Sequence, residues 1–117
     1  MQVKLYDIYI ARKVMDQLRA QKLPINHIIK FREFLADYNT YFDEIEKERV
    51  SLVQQQLTTA NIDSIVPGSE QEKTFYDSFN IYLQNVVRIE KGLPKEVLVG
   101  ELSEREYDLL AVFIEDV

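Results

Sequence analysis

The sequence predicts a mainly α fold: a long antiparallel helical hairpin with two short helices and a minor two-stranded β pairing, in a single domain spanning residues 1–117. Two heptad-like apolar seams predict the hairpin, one over residues 28–52 and one over residues 75–89, separated by a Thr/Asn/Pro/Gly-containing break at residues 57–69. Short alternating segments near both termini predict the strands. The composition, 46% hydrophobic and 29% charged over 117 residues, is that of a globular chain long enough to bury one core.

At the N-terminus, MQVKLY alternates Val3 and Leu5 with polar neighbours and reads as a strand. Asp7 is placed to cap a helix whose face holds Ile8, Ala11, Met15 and Leu18, with Val14 beside it. That helix is expected to stop near Lys22, because Pro24 disfavours helical geometry at Leu23. Asn26 is the expected cap of the second helix, with Ile25 as a hydrophobic staple.

The second helix carries Ile28, Phe31, Leu35, Tyr38, Phe42, Ile45, Arg49 and Leu52 at strictly alternating steps of three and four, with Phe34 and Tyr41 widening the stripe. Taken to Gln56 it would run about 45 Å at 1.5 Å per residue. A buried Arg49 would need a partner across the hairpin, expected among Glu70, Glu72 and Asp77. Ser69 and Glu72 spell a capping box for the third helix, whose seam is Phe75, Phe79, Tyr82, Val86 and Ile89, with Tyr76, Leu83 and Val87 flanking it. Gly92 and Pro94 are its expected stop. EVLVGEL, residues 96–102, then reads as the second strand. Ser103 and Glu106 form another capping box, opening a short helix with Tyr107, Leu110, Ala111 and Ile114 on one face.

Because the third helix is the shorter, the end of the second is expected to project or meet another molecule around Val50, Val53 and Leu57. Unused apolar surface of that kind points to self-association. Tyr41 and Tyr76 flank the seams and complete the candidate partner interface, since tyrosine suits exposed anchor positions.

This layout resembles a group of small phage-encoded helical proteins of unassigned function. The similarity lies in the strand and short helix, the Leu23–Pro24–Ile25 step into a long charged helix, the Glu46, Glu48, Arg49, Val50, Leu52 pattern, and the capped terminal segment at 103–115. It implies a phage origin and an interaction role and transfers no site residue.

Catalytic and metal chemistry lack their residues. There is no cysteine, so disulfides, thiolate catalysis and cysteine-based zinc sites are excluded. His27, the single histidine, lies at a helix start with no nucleophile motif to accompany it. Gly68, Gly92 and Gly100 are too scattered to cradle phosphate. Asp43, Glu44, Glu46 and Glu48 spread around their helix, and no Glu-x-x-His pair is present. No cofactor or metal is therefore expected, and no enzymatic activity.

Charge is polarised. Residues 1–32 hold seven basic residues against two acidic, a balance of +5, and the rest of the chain holds seven against eighteen, a balance of −11. Packing the two segments side by side would neutralise both. Alternatively, Arg12, Lys13, Arg19 and Lys22 would contact nucleic acid, with Tyr6 or Tyr9 stacking on bases. The acidic body is too dilute in charge to argue for mimicry of DNA. The N-terminus lacks a signal-peptide pattern and no apolar run approaches the roughly 18 residues of a membrane span. The reading from sequence is thus a non-enzymatic interaction protein acting in virion assembly or on a host protein, in the host cytoplasm or on the virion, with no membrane role. Its partner is expected to be itself or a host protein. The alternative is a nucleic-acid-binding accessory protein using the basic N-terminal third.

Overall fold

A computed structural model describes residues 1–114. Strand β1 (Gln2–Lys4) is followed by helices α1 (Leu5–Ile10), α2 (Arg12–Arg19), α3 (Ile25–Ala60) and α4 (Glu70–Leu83), strand β2 (Val86–Arg88), a 3₁₀ turn at Lys95–Val97, and helix α5 (Glu104–Ala111). The fold is mainly helical, built on the α3–α4 hairpin, with one two-stranded antiparallel sheet.

The strand pairing joins β1 to β2 in the register Gln2↔Arg88, Val3↔Val87 and Lys4↔Val86. The Met1 amino group and carbonyl extend it by bonding the Ile89 carbonyl and N–H at 3.0 and 2.9 Å. The second strand thus comes from residues expected to finish the third helix. EVLVGEL is no strand: it contains the end of the 3₁₀ turn, with Val97 buried and Val99 exposed. Three β-branched residues, Val86, Val87 and Ile89, favour the extended chain and lose rotamer freedom in a helix. A spacing of three and four placed them on a helical seam, but α4 has already ended at Leu83, and the Asn85 carbonyl accepts from the Leu5 N–H at 2.9 Å. Gly92 and Pro94 therefore terminate nothing.

Two helices stand where one was expected. Fully buried Ala11 turns the chain between α1 and α2, and α2 ends at Arg19, short of Lys22. Asp7 does not precede the helix; it lies in the first turn of α1, where its carboxylate accepts from the Lys4 N–H at 3.1 Å. Asn26 likewise lies inside α3, whose N-cap is Pro24, and Ile25 is 73% exposed, so no staple forms.

Helix α3 runs four residues past Gln56, through LTTA, giving 36 residues and about 54 Å. No glycine or proline interrupts it before Pro67. It ends at Asn61 in the left-handed conformation (φ 53°, ψ 51°), with the Ile62 N–H bonded to the Leu57 carbonyl at 3.0 Å. At the start of α4, Ser69 Oγ accepts from the Glu72 N–H, while the Glu72 carboxylate reaches Gly68 N–H, one residue short of a complete box. The Ser103–Glu106 box on α5 is complete, at 3.1 Å in both directions.

One hydrophobic cluster draws on the chain from Val3 to Phe113. At its centre Phe113 packs edge-on against Phe34 and Tyr38, both with centroids 5.7 Å away. Of the second helix's seam, Phe31, Leu35, Tyr38 and Ile45 are buried, as is Phe34, whereas Ile28 is at the exposed edge. Arg49 does not bridge the hairpin to Glu70, Glu72 or Asp77. It is 38% exposed and pairs with Glu46 on its own helix at 2.9 Å. That hydrogen bond raises the guanidinium pKa, and the pair sits where the seam approaches the surface.

The molecule measures 52 × 26 × 22 Å with a radius of gyration of 16.9 Å, against about 13 Å for a compact chain of this length. The hairpin accounts for the excess.

Candidate interaction surface

Helical rows that face α1 and α2 near the body of the molecule continue along the hairpin, where among the described residues they become more exposed. On α3, Asn39 and Phe42 are held by Arg12, whose guanidinium lies 3.4 Å from Asn39 Oδ1 and 4.4 Å from the Phe42 ring centre. Steps of three and four carry that row on through Glu46 to Val50, Val53 and Leu57. On α4, Phe79 packs edge-on against Tyr9 of α1, centroids 5.2 Å apart, and the same row continues to Tyr76. Val50 is 50% exposed and Tyr76 53% exposed, while Val53 and Leu57 are half-buried. Four of the five candidate interface residues therefore lie on one arm.

Tyr41 does not join them. It lies nearer the body, half-buried, and its hydroxyl donates to the Arg88 carbonyl at 3.0 Å. Asp37 accepts from the Glu90 N–H and Glu33 pairs with Lys91, both at 2.9 Å. Spaced by four, Tyr41, Asp37 and Glu33 form a ladder that fastens residues 88–91 along α3. No periodicity signal in the sequence links these distant segments.

The α3 side of the arm carries no charge over residues 50–62, whereas the start of α4 carries Glu70, Glu72, Lys73 and Asp77. Ten of residues 25–49 are charged. Val66, 59% exposed in the connection beside Pro67, adds apolar surface that the sequence did not single out. Tyr82, stacked on Phe79, has its phenol pKa raised by burial and by nearby Glu48 and Glu44.

The four basic candidates do not form one strip. Arg12 is turned onto α3 and shares Asp16 with Arg19, at 3.3 and 3.9 Å. Lys13 lines a groove between α2 and α5 with Arg105 and Glu106, and Lys22 stands exposed beyond the end of α2. The basic α2 packs on the acidic α5, so the charged segments offset each other in part. Tyr6 is partly exposed on α1, whereas Tyr9 is engaged with Phe79. His27 is half-buried, and among the described residues its Nδ1 lacks a hydrogen-bond partner. Among the described residues no group of three or more His, Asp or Glu converges as metal ligands, and no helix is long and apolar enough to cross a membrane.

Comparison with protein-family models, curated proteins and solved structures gives no match.

Proposed function

We propose that the chain is a non-enzymatic, phage-encoded interaction protein that associates through the free arm of its hairpin. The single observation that carries this reading is the arm itself: Val50, 50% exposed in the charge-free stretch of residues 50–62, with Tyr76 of α4 exposed beside it on the hairpin. Solvated helices ordinarily carry charged residues on their outer face. A charge-free stretch of helix avoids the desolvation cost of burying ions on association.

A second copy is the occupant the arm fits best. In an isologous pairing each patch meets itself, and a segment without charge brings no like charges together. Such a dimer would serve in virion assembly, or would present its arms to a host protein, in the host cytoplasm or on the virion. Single cysteines test the geometry, because the chain contains none. Gln54→Cys, between Val50 and Leu57, is expected to give disulfide-linked dimers under mild oxidation far faster than Lys30→Cys on the same helix. Equal rates at the two positions would contradict the proposal.

A further inference from the structure

We infer that the cleft between the α2–α3 connection and the first half of α3 binds a small apolar carboxylate that also carries a hydrogen-bond donor. The cleft has a volume of about 380 Å³ and includes Leu23, Ile28, Phe31 and Leu35, with Arg19 and Arg32 also lining it. Small-molecule sites have this size, roughly 300–1,000 Å³, and here polar and apolar side chains share the lining about equally.

Charge selects an anion. Among the described residues Asp16 is the one carboxylate within ion-pair distance of either Arg12 or Arg19, and serves both. Among the described residues Arg32 has no ion-pair partner, and its neighbour Glu33 is committed to Lys91 at 2.9 Å. Of the two guanidiniums that line the cleft, Arg19 thus has a share of one carboxylate and Arg32 none, in a protein whose net charge is −6. Inorganic phosphate would satisfy them but leave the apolar lining uncovered, and a neutral apolar molecule would leave them unanswered. A carboxylate joined to an aliphatic or aromatic group meets both, and planar guanidinium forks suit it.

The donor follows from Gln21, which also lines the cleft. Its Oε1 is buried and, among the described residues, lacks a hydrogen-bond partner, an arrangement that costs free energy until a donor arrives. The amide is held by the close approach of Gly100, where an added Cβ would lie 3.0 Å from Gln21 Nε2 and where φ is +85°. An N–H or O–H near the ligand carboxylate completes the site, as in an N-acylated apolar amino acid.

N-acetylphenylalanine and its uncharged amide are the probes, titrated into the full chain while amide ¹H–¹⁵N shifts are followed. Saturable shifts centred on Gln21, Phe31, Arg32 and Leu35 are expected, with the carboxylate about tenfold tighter, the ratio of one charge-assisted hydrogen bond. Arg32→Gln, and Arg19→Gln with it, should bring the carboxylate toward the amide's affinity without altering the melting curve. Equal affinity for the two probes, shifts centred elsewhere, or no saturation at all would overturn the inference.

Discussion

The phenol of Tyr38 is fully buried and donates to the Ile8 carbonyl at 2.6 Å, while its ring meets Phe113 from the C-terminal end of the chain. One side chain on α3 thus ties α1 and the last turn to the hairpin. Tyr38→Phe keeps the ring but leaves the Ile8 acceptor unpaired, and should cost about 1–3 kcal/mol in urea unfolding. Burial pushes the phenol pKa well up, with Arg12 pulling against it and Asp16 adding to it. The pKa is higher folded than unfolded, so the neutral phenol's contribution is complete below the ordinary tyrosine value of about 10 and is lost as pH rises beyond it. Alkaline melts should therefore fall more steeply for the wild type than for Tyr38→Phe. Parallel curves would show that Tyr38 is not the group responsible. That Tyr38, Phe31 and Ile45 belong to the core was legible from their spacing. The role of Tyr41 was not, because its partner is a backbone carbonyl 47 residues away.

At the scale of elements, local chemistry marks some boundaries and misleads at others. Asn61 supplies the left-handed residue that stops α3, a conformation in which Asn is tolerated and a β-branched residue is strained. Asn61→Val should cost about 1–2 kcal/mol and Asn61→Gly little, read as melting temperature; equal effects would contradict the cap assignment. Arg49→Leu is expected to change stability by no more than about 1 kcal/mol, since it removes an exposed pair with Glu46. A loss of many degrees would show that the arginine holds a network beyond Glu46. The hairpin was legible because its two seams alternate by three and four. β2 was not, because Val86, Val87 and Ile89 fit the helical pattern as well as an extended one and only pairing with β1 separates the two. The break at Ala11 was hidden for the opposite reason: alanine is a strong helix former, and packing overrides that preference here.

Over the whole molecule, the covered body and the bare arm are two ends of one long helix. The sequence located the arm through the excess length of its second helix and through Val50, Val53, Leu57 and Tyr76, of which the structure leaves Val50 and Tyr76 exposed. It could not supply Val66, which lies in an irregular connection, or the cleft at Arg19 and Arg32, which depends on how α2 is laid against α3. If the arm is the docking surface, Tyr76→Ala should weaken association by about 1–2 kcal/mol while leaving the monomer's core intact. The most direct measurement is the solution mass by light scattering at high micromolar concentration, for the wild type and for Val50→Glu, which puts a charge into residues 50–62. A wild-type dimer or larger assembly that Val50→Glu returns to monomer, with circular dichroism unchanged, is the predicted result. A wild-type monomer, or an assembly indifferent to Val50→Glu, would contradict self-association through the arm.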